Sequence, residues 1–262
     1  MTPESVGKLI RGSGNNFHAK VARWFADNNW HVVVSPYYMD QAQNKPREID
    51  LVVEKQWPIG NRLSDATDYV VVRLFVECKF ISTESVFWFS NKNFAAARAL
   101  VEKGGLFRPN SSFSAKHHYI AESPRVAKLF ATHNINTAEN EPFYKALNQS
   151  LNAMVSMRRK PVTISNMVER QEQPRHLLEF PVIVCSSFDR LFSVDFDSES
   201  EPMPIAENFQ LEVQYAYTDR QSIERDEYFL LDLVSFEGLA SFITAIDRDA
   251  QNAARSASIG HC

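Results

Sequence analysis

An apolar run between residues 70 and 80 ends with an acid and a base. Its Val, Leu and Phe side chains, many of them β-branched, predict a strand that is buried on both faces. Residues two apart on a strand point to the same face, so Glu77 and Lys79 project together while Cys78 points away. Burying either charge alone is costly, which leaves two explanations: an ion pair between them, or a metal site.

Apolar periodicity places this strand in a mixed order of helices and strands. The predicted elements are a polar loop over 1–16, a helix over about 17–28, strands over 30–36 and 47–53, a loop over 54–68 and the strand over 70–80. Beyond it we predict a helix over 93–103, a short strand over 118–121, a short helix over 124–132, a helix over 142–157, strands over 178–185, 191–196, 211–217 and 228–234, and a final helix over about 237–248.

No stretch of the sequence has the composition of an interdomain linker. We therefore expect one domain over 1–262, with an inserted segment at about 81–141 and a C-terminal elaboration at about 197–262. The strands over 178–185 and 191–196 are expected to pair through the turn between them, and the tail after Arg255 is expected to fray.

Composition narrows the classes of protein that fit. The chain has 262 residues, a net charge of −4 and only three cysteines, at 78, 185 and 262. The charge gives no general attraction to polyanions, so any nucleic-acid contact needs a local basic surface. An odd cysteine number without paired spacing indicates a reducing, cytoplasmic location. No apolar run reaches the ~18 residues of a membrane span, so we expect no membrane contact.

Asp50 and Glu77 are predicted to end two neighbouring strands of one hairpin. Adjacent strands lie ~4.8 Å apart, so both carboxylates can reach one cation. Two acids and a backbone carbonyl form the hard-oxygen donor set that Mg²⁺ accepts. Lys79 could then orient or deprotonate the attacking water, or stabilise negative charge that develops on phosphate oxygens.

The segments Arg47-Glu48-Ile49-Asp50-Leu51-Val52-Val53 and Leu74-Phe75-Val76-Glu77-Cys78-Lys79, after one helix and one strand, resemble the paired motif of the PD-(D/E)XK nuclease superfamily. The resemblance covers residues 17–80. It implies an α/β fold with a three-layer αβα restriction-endonuclease-like core (αβββαβ), a mixed sheet, and Mg²⁺ or Mn²⁺-dependent hydrolysis of phosphodiester bonds. By matching positions, Asp50, Glu77 and the Cys78 carbonyl would be metal ligands, and Lys79 the catalytic amine.

The same resemblance assigns auxiliary positions. Many members have a glutamate on the first helix facing the metal; here His18 is nearby, and either it or Glu48 could substitute. The crossover helix could be 93–103 or 142–157, and we favour the second because the strand that follows it is longer and more apolar. Gln149 on that helix resembles a glutamine near the site of some members.

Several polar and basic residues also have a simpler interpretation that involves no active site. Glu48 and His18 would be solvated polar residues at the start of a strand and a helix. His117 and His118 could touch substrate or metal, but we expect an exposed pair between a loop and a strand. Four basic residues are either solvated or contacts to phosphate: Lys20, Arg158, Arg159 and Lys160.

DNA is the substrate that the resemblance implies, and RNA is not excluded. A homodimer is one arrangement that would cut both strands. The alternative hypothesis is a catalytically weak or inactive module of the same fold that binds nucleic acid or a protein partner.

Overall fold

The computed structural model describes residues 3–12, 14–41, 43–59, 69–133, 141–158, 176–219 and 221–260. The helices are α1 (Pro3–Gly12), α2 (Gly14–Asp27), α3 (Phe94–Lys103), α4 (His118–Ala121), α5 (Pro142–Met157) and α6 (Leu239–Gly260). The strands are β1 (His31–Val34), β2 (Tyr37–Asp40), β3 (Lys45–Glu48), β4 (Leu51–Pro58), β5 (Tyr69–Lys79), β6 (Ser85–Asn91), β7 (Arg125–Thr132), β8 (His176–Cys185), β9 (Leu191–Asp195), β10 (Met203–Pro204), β11 (Phe209–Thr218) and β12 (Glu224–Ser235). None of the described helices is long and apolar enough to cross a membrane.

One mixed sheet of ten strands organises the described part of the chain. Its order is β1-β4-β5-β8-β12-β11-β7-β6-β9-β10, and β2 and β3 form a separate two-stranded sheet. β4 is antiparallel to both β1 and β5, whereas β8 is parallel to β5 along its whole length and also parallel to β12. A sheet covered on both faces explains why β5 is almost continuously apolar.

Helices cover both faces of this sheet and divide the core into two layers. On one face α2, α3, α4 and α6 pack against β5, β8 and β12. On the other face α5 packs against β5 and β8, together with the far strands. The alternation of β5 sends Val72, Leu74 and Val76 to the first layer and Phe75 to the second. The fold is therefore α/β, with a mixed sheet between two helical layers.

Most of the predicted elements are confirmed. The predicted helices over 17–28, 93–103 and 142–157 are α2, α3 and α5, and the strands over 178–185, 191–196, 211–217 and 228–234 are β8, β9, β11 and β12. α5 directly precedes β8, the strand that pairs in parallel with β5, as the favoured choice of crossover helix expects. Part of the predicted loop over 54–68 lies outside the described residues; its start is the end of β4.

Other predictions are wrong, because pairing with distant strands overrides local pattern. The expected helix over 124–132 is β7, which pairs with β6 and β11. The expected strand over 118–121 is a helical turn, α4. β9 does not pair with β8, since β5 and β12 take both edges of that strand; it pairs with β6 and β10 instead.

The two ends of the chain are more helical than predicted. The expected loop over 1–16 contains α1 and the first turn of α2. The final helix continues through the tail that was expected to fray, because Ala250, Ala253 and Ala257 recur at helical spacing and pack in the core. The predicted strand over 47–53 is divided into β3 and β4, with Ile49 and Asp50 between them.

A buried row of charges crosses the middle of the sheet at Arg73. Its neighbours on either side are Glu54 in β4 and Glu179 in β8. The Nε of Arg73 donates to Glu54 at 2.5 Å and its Nη1 lies 3.5 Å from Glu179, while the Arg73 side chain is only 1% exposed. The buried positive charge of Arg73 is thus balanced by one acid on each neighbouring strand.

We predict that Arg73→Met lowers the free energy of unfolding by about 3–5 kcal/mol at pH 7, because it removes the buried cation that lies between Glu54 and Glu179. Urea unfolding measures this loss. The matched control is Arg225→Met, which removes the exposed ion pair with Asp219 and should cost about 0–1 kcal/mol. Equal losses in the two variants would contradict the compensation that we assign to Arg73.

Candidate active site

The chain leaves the small sheet and enters the large one between β3 and β4, and Asp50 lies at that transition. The preceding Ile49 is fully buried and anchors the turn. β4 and β5 are antiparallel, and the last pair of their ladder is Leu51 opposite Val76. One residue further in the same register, Asp50 and Glu77 face each other beyond the end of the ladder.

Hydrogen bonds hold the Asp50 carboxylate against β5. Its Oδ2 accepts from the backbone N–H of Cys78 at 2.7 Å. The backbone N–H of Asp50 in turn points to Oε1 of Glu77, at a longer 3.4 Å. A carboxylate that accepts a short bond from a backbone N–H is fixed in orientation. The structure therefore brings together the two acids that the sequence predicts as a pair.

Lys79 completes the group, and its Nζ donates to Oε2 of Glu77 at 2.9 Å. The Glu77 side chain is 1% exposed and that of Lys79 is 19% exposed, so the acid is buried and the amine is partly accessible. Cys78 points to the opposite face and packs against the first core layer. The ion pair of the first explanation is formed, and the second acid that the metal explanation requires stands beside it.

Burial dominates the electrostatics of this group. Burial raises the pKa of Glu77 to about 7; the ammonium of Lys79 opposes this increase and the charge of Asp50 adds to it. Burial lowers the pKa of Lys79, but the Glu77 carboxylate outweighs this and leaves it raised. Two acids in a small, partly dry volume repel each other, and a bound cation relieves that repulsion.

The donor set fits a hard divalent cation. Oδ2 of Asp50 and Oε2 of Glu77 accept hydrogen bonds from the protein. Among the described residues nothing donates to Oδ1 of Asp50, and Oε1 of Glu77 has only its long contact to the Asp50 N–H. One oxygen from each acid, with waters, is the environment that Mg²⁺ or Mn²⁺ takes. Since the Cys78 side chain points away, only its backbone could contribute.

The auxiliary residues contact the backbone on both sides of Asp50. Nε2 of His18 lies 2.8 Å from the Asp50 carbonyl oxygen, and the N–H of Ser35 donates to the same oxygen at 2.8 Å. Ser35 has a left-handed φ of 53°, an uncommon conformation that is often found near functional sites. Gln149 donates from Nε2 to the Glu48 carbonyl at 3.2 Å. These contacts position the loop that bears the acid.

The predicted nucleic-acid contacts fall at different ends of the sheet. Lys20 has its Nζ 4.0 Å from the ring centre of Phe236, which follows β12 at the same end as Lys79. Arg158 instead forms an ion pair with Glu227, eight residues before the end of β12 and therefore roughly 26 Å along the strand from that end. Arg159 and Lys160 lie outside the described residues.

A second polar group, which we call the histidine cluster, is formed by His117, His118, Asp232 and Asp249. The expectation that the two histidines are exposed is wrong, because they are 3% and 2% exposed. The ring of His117 caps the first turn of α4, and His118 reaches across to α6. The potential ligand atoms of His117, His118 and Asp249 lie within 4.8 Å of one another, close enough to surround a metal ion.

Hydrogen bonds within the histidine cluster account for its protons. Nδ1 of His117 accepts from the N–H of Tyr119 at 3.2 Å, so its proton is on Nε2, 3.4 Å from Asp249. His118 directs Nδ1 to Asp249 and Nε2 to Asp232. Burial lowers the pKa of His118, but these two carboxylates outweigh it and raise the pKa to about 10. A histidine that binds a metal through one ring nitrogen normally donates a hydrogen bond from the other nitrogen. Nδ1 of His117 instead accepts a hydrogen bond. The histidine cluster therefore fits hydrogen bonds through shared protons better than a bound metal ion.

Nothing local in the sequence indicated the histidine cluster. His118 and Asp249 are 131 residues apart, and each belongs to a short stretch with no motif.

Comparisons of the chain with protein-family models, with curated proteins and with solved structures found no match. From its fold and its site alone, the chain is an α/β protein with two carboxylates and a lysine grouped at the end of two antiparallel strands.

We predict that His18→Ala lowers the free energy of unfolding by about 1 kcal/mol, because the Asp50 carbonyl loses one of its two donors. Thermal or urea unfolding measures the change. Arg23→Ala, on the exposed face of the same helix, is the matched control and should stay within about 0.5 kcal/mol of the parent. No difference between the two variants would show that His18 does not hold the turn.

Proposed function

We propose that this protein is a divalent-metal-dependent nuclease that hydrolyses phosphodiester bonds, with DNA as its substrate. The observation that supports this most directly is the meeting of Asp50, Glu77 and Lys79 at the end of β4 and β5. Two acids that face each other beside an amine form the set of groups required for metal-assisted hydrolysis.

The order of elements around these residues supports a restriction-endonuclease-like core. α2, β1, β4, β5, α5 and β8 follow the helix–strand–strand–strand–helix–strand order. Two insertions interrupt it: the β2–β3 hairpin before β4, and the segment with β6, α3, α4 and β7 between β5 and α5. Their strands are neighbours in the sheet in the order β1-β4-β5-β8, and helices lie on both faces. Glu77 and Lys79 lie at the C-terminal end of β5, and Asp50 directly precedes the N-terminal end of β4.

In this proposal Asp50 and Glu77 would hold Mg²⁺ or Mn²⁺. The bound cation supplies Lewis-acid polarisation of the scissile phosphate. Lys79, whose side chain is partly exposed, orients the attacking water or stabilises charge on the phosphate oxygens. His18 and Gln149 position the Glu48–Asp50 turn rather than contact the substrate, and Lys20 contacts the phosphate backbone.

The second candidate function is a catalytically weak or inactive module that binds nucleic acid or a protein. The Glu77–Lys79 ion pair favours it, because an acid that is already neutralised by an amine is stable without a cation. The two candidates differ in metal binding. The nuclease requires a cation at Asp50 and Glu77, whereas the module requires none and keeps its partner when Asp50 is changed.

We predict that Asp50→Asn and Lys79→Ala each lower Mg²⁺-dependent DNA cleavage at least about 100-fold. The asparagine can still accept from the Cys78 N–H, so the fold should be retained, which circular dichroism checks. Calorimetry should show that Asp50→Asn loses Mg²⁺ binding and that Lys79→Ala keeps it, because only the acid is a ligand.

Lys45→Ala, on the exposed strand β3, is the matched control and should cleave at the parent rate. Cleavage that continues unchanged in both site variants would refute the assignment. Absence of Mg²⁺ or Mn²⁺ binding by the parent, with DNA or protein binding that survives Asp50→Asn, would favour the inactive module.

We predict that Lys20→Ala weakens DNA binding and reduces the salt dependence of the binding constant by about one counterion, without changing Mg²⁺ affinity. Fluorescence anisotropy at several salt concentrations measures both quantities. Lys116→Ala, an exposed lysine outside the site, is the control. An identical salt slope in the two variants would place the DNA away from α2.

A further inference from the structure

Two exposed aromatic rings border the candidate active site. In the described part of the chain, the two most exposed aromatic side chains are Tyr37, at 69%, and Phe80, at 59%. Tyr37 lies opposite Glu48 in the β2–β3 ladder, and Glu48 is two residues before Asp50. Phe80 directly follows Lys79 in the chain. Both rings are therefore next to the two acids and the lysine of the site, and they belong to different strands.

The fold holds the Tyr37 ring in solvent. Side chains alternate along β2, so Tyr38 is 4% exposed and packs in the second core layer while Tyr37 points away from it. The Pro36 carbonyl accepts from the N–H of Ile49 at 3.2 Å and fixes the backbone on the other side. A hydrogen bond from the Tyr37 hydroxyl to the Glu48 carboxylate raises the pKa of Tyr37 above its usual value. The ring is thus held beside the turn between β3 and β4.

The backbone around Phe80 is fixed in the same way. The N–H of Ser186 donates to the Lys79 carbonyl at 2.9 Å, and the N–H of Ile81 donates to Oγ of Ser186 at 3.0 Å. Ile81 also packs against the second core layer. Full burial of a Phe side chain stabilises a fold by about 1.5–3 kcal/mol, and Phe80 leaves most of this contribution unused. Its anchored neighbours hold the ring outside the core.

The charges around the site disfavour a nucleic acid that is held by its phosphates alone. Glu48, Asp50 and Glu77 are all acids, and the chain has a net charge of −4. The positive charges on which phosphate contact relies are those of Lys79, which is paired with Glu77, and of Lys20. Duplex DNA is bound largely through neutralised phosphates, and so few cations supply little of that affinity.

Stacking on aromatic rings supplies affinity that does not depend on cations. A base that stacks on an aromatic side chain contributes about 1–3 kcal/mol, and every base can do so because each has a flat face. In a duplex the base faces are covered by neighbouring bases, so a protein ring reaches them only where the strand is unpaired. Two rings beside one site therefore favour a strand with unpaired bases.

We infer that this site takes DNA with unpaired bases, which stack on Tyr37 and Phe80 next to the phosphate that lies at Asp50 and Glu77. The inference rests on the proposed function, because it takes DNA as the ligand, and it adds the form of DNA that the site accepts. Intact duplex is bound and cut less well, since its bases do not reach the rings.

Fluorescence anisotropy in EDTA measures this binding without metal-dependent cleavage. The probes are a labelled single strand of about 20 nucleotides that does not fold on itself, and the same strand in a duplex. We expect the single strand to bind at least about tenfold more tightly than the duplex. Tyr37→Ala and Phe80→Ala should each weaken single-strand binding at least about fivefold, the loss of one stacked base.

Conservative variants and matched controls separate stacking from other effects. Tyr37→Phe keeps the ring and should bind like the parent, whereas Phe80→Leu keeps an apolar side chain without a ring and should bind like Phe80→Ala. Tyr69, 43% exposed, begins β5 and lies roughly 33 Å along that strand from Lys79. Phe196, 50% exposed, follows β9 near the other edge of the large sheet. Tyr69→Ala and Phe196→Ala should bind like the parent.

The inference and the nuclease proposal fail in different ways. In Mg²⁺ we expect the single strand to be cut at least about tenfold faster than the duplex. No cleavage in Mg²⁺ or Mn²⁺, with single-strand binding that requires both rings, would contradict the nuclease and support the inference. Equal binding of single strand and duplex in EDTA, or unchanged binding in both alanine variants, would overturn the inference even if the protein cleaves DNA.

Discussion

The turn between β3 and β4 is the constraint on which the candidate site depends. Ile49 is buried and leaves the chain no freedom to slide, while the Asp50 carbonyl is held by His18 and Ser35 and its carboxylate by the N–H of Cys78. A shift of one residue in the β4–β5 register would send the acid to the other face of the sheet. The chemistry proposed for this protein is thus a property of strand register as much as of residue type.

The sequence was sufficient for the part of the site that lies on adjacent strands. Residues 70–80 had the composition of a strand buried on both faces, and alternation alone placed Glu77 and Lys79 together. The pairing of the strands bearing Asp50 and Glu77 followed from their succession in the chain, because consecutive strands are usually neighbours. What the pattern could not supply was the backbone role of His18, since a contact to a carbonyl depends on the exact turn between two sheets.

The remaining errors have a common physical origin in contacts between distant parts of the chain. Residues 125–132 form a strand because β6 and β11 supply partners on both edges, and the local sequence contains no trace of those partners. His118 can be buried because the carboxylate of Asp249 balances its positive charge. Asp249 is on α6, 131 residues later in the chain. In both cases the environment that decides the structure is assembled only by the complete sheet.

The strand order also affects how the protein can be made. β6 and β7 are synthesised soon after β5, yet in the sheet they lie beyond β8, β12 and β11, all of which come later in the chain. The only ladder pair between β7 and β11 joins Ala127 to Leu211. During synthesis the antiparallel pair of β6 and β7 therefore emerges with an unpaired edge and no inner neighbour, a condition that invites chaperone capture or aggregation. Completion of the sheet depends on the last third of the chain, which supplies β8, β12 and β11 between β5 and β7.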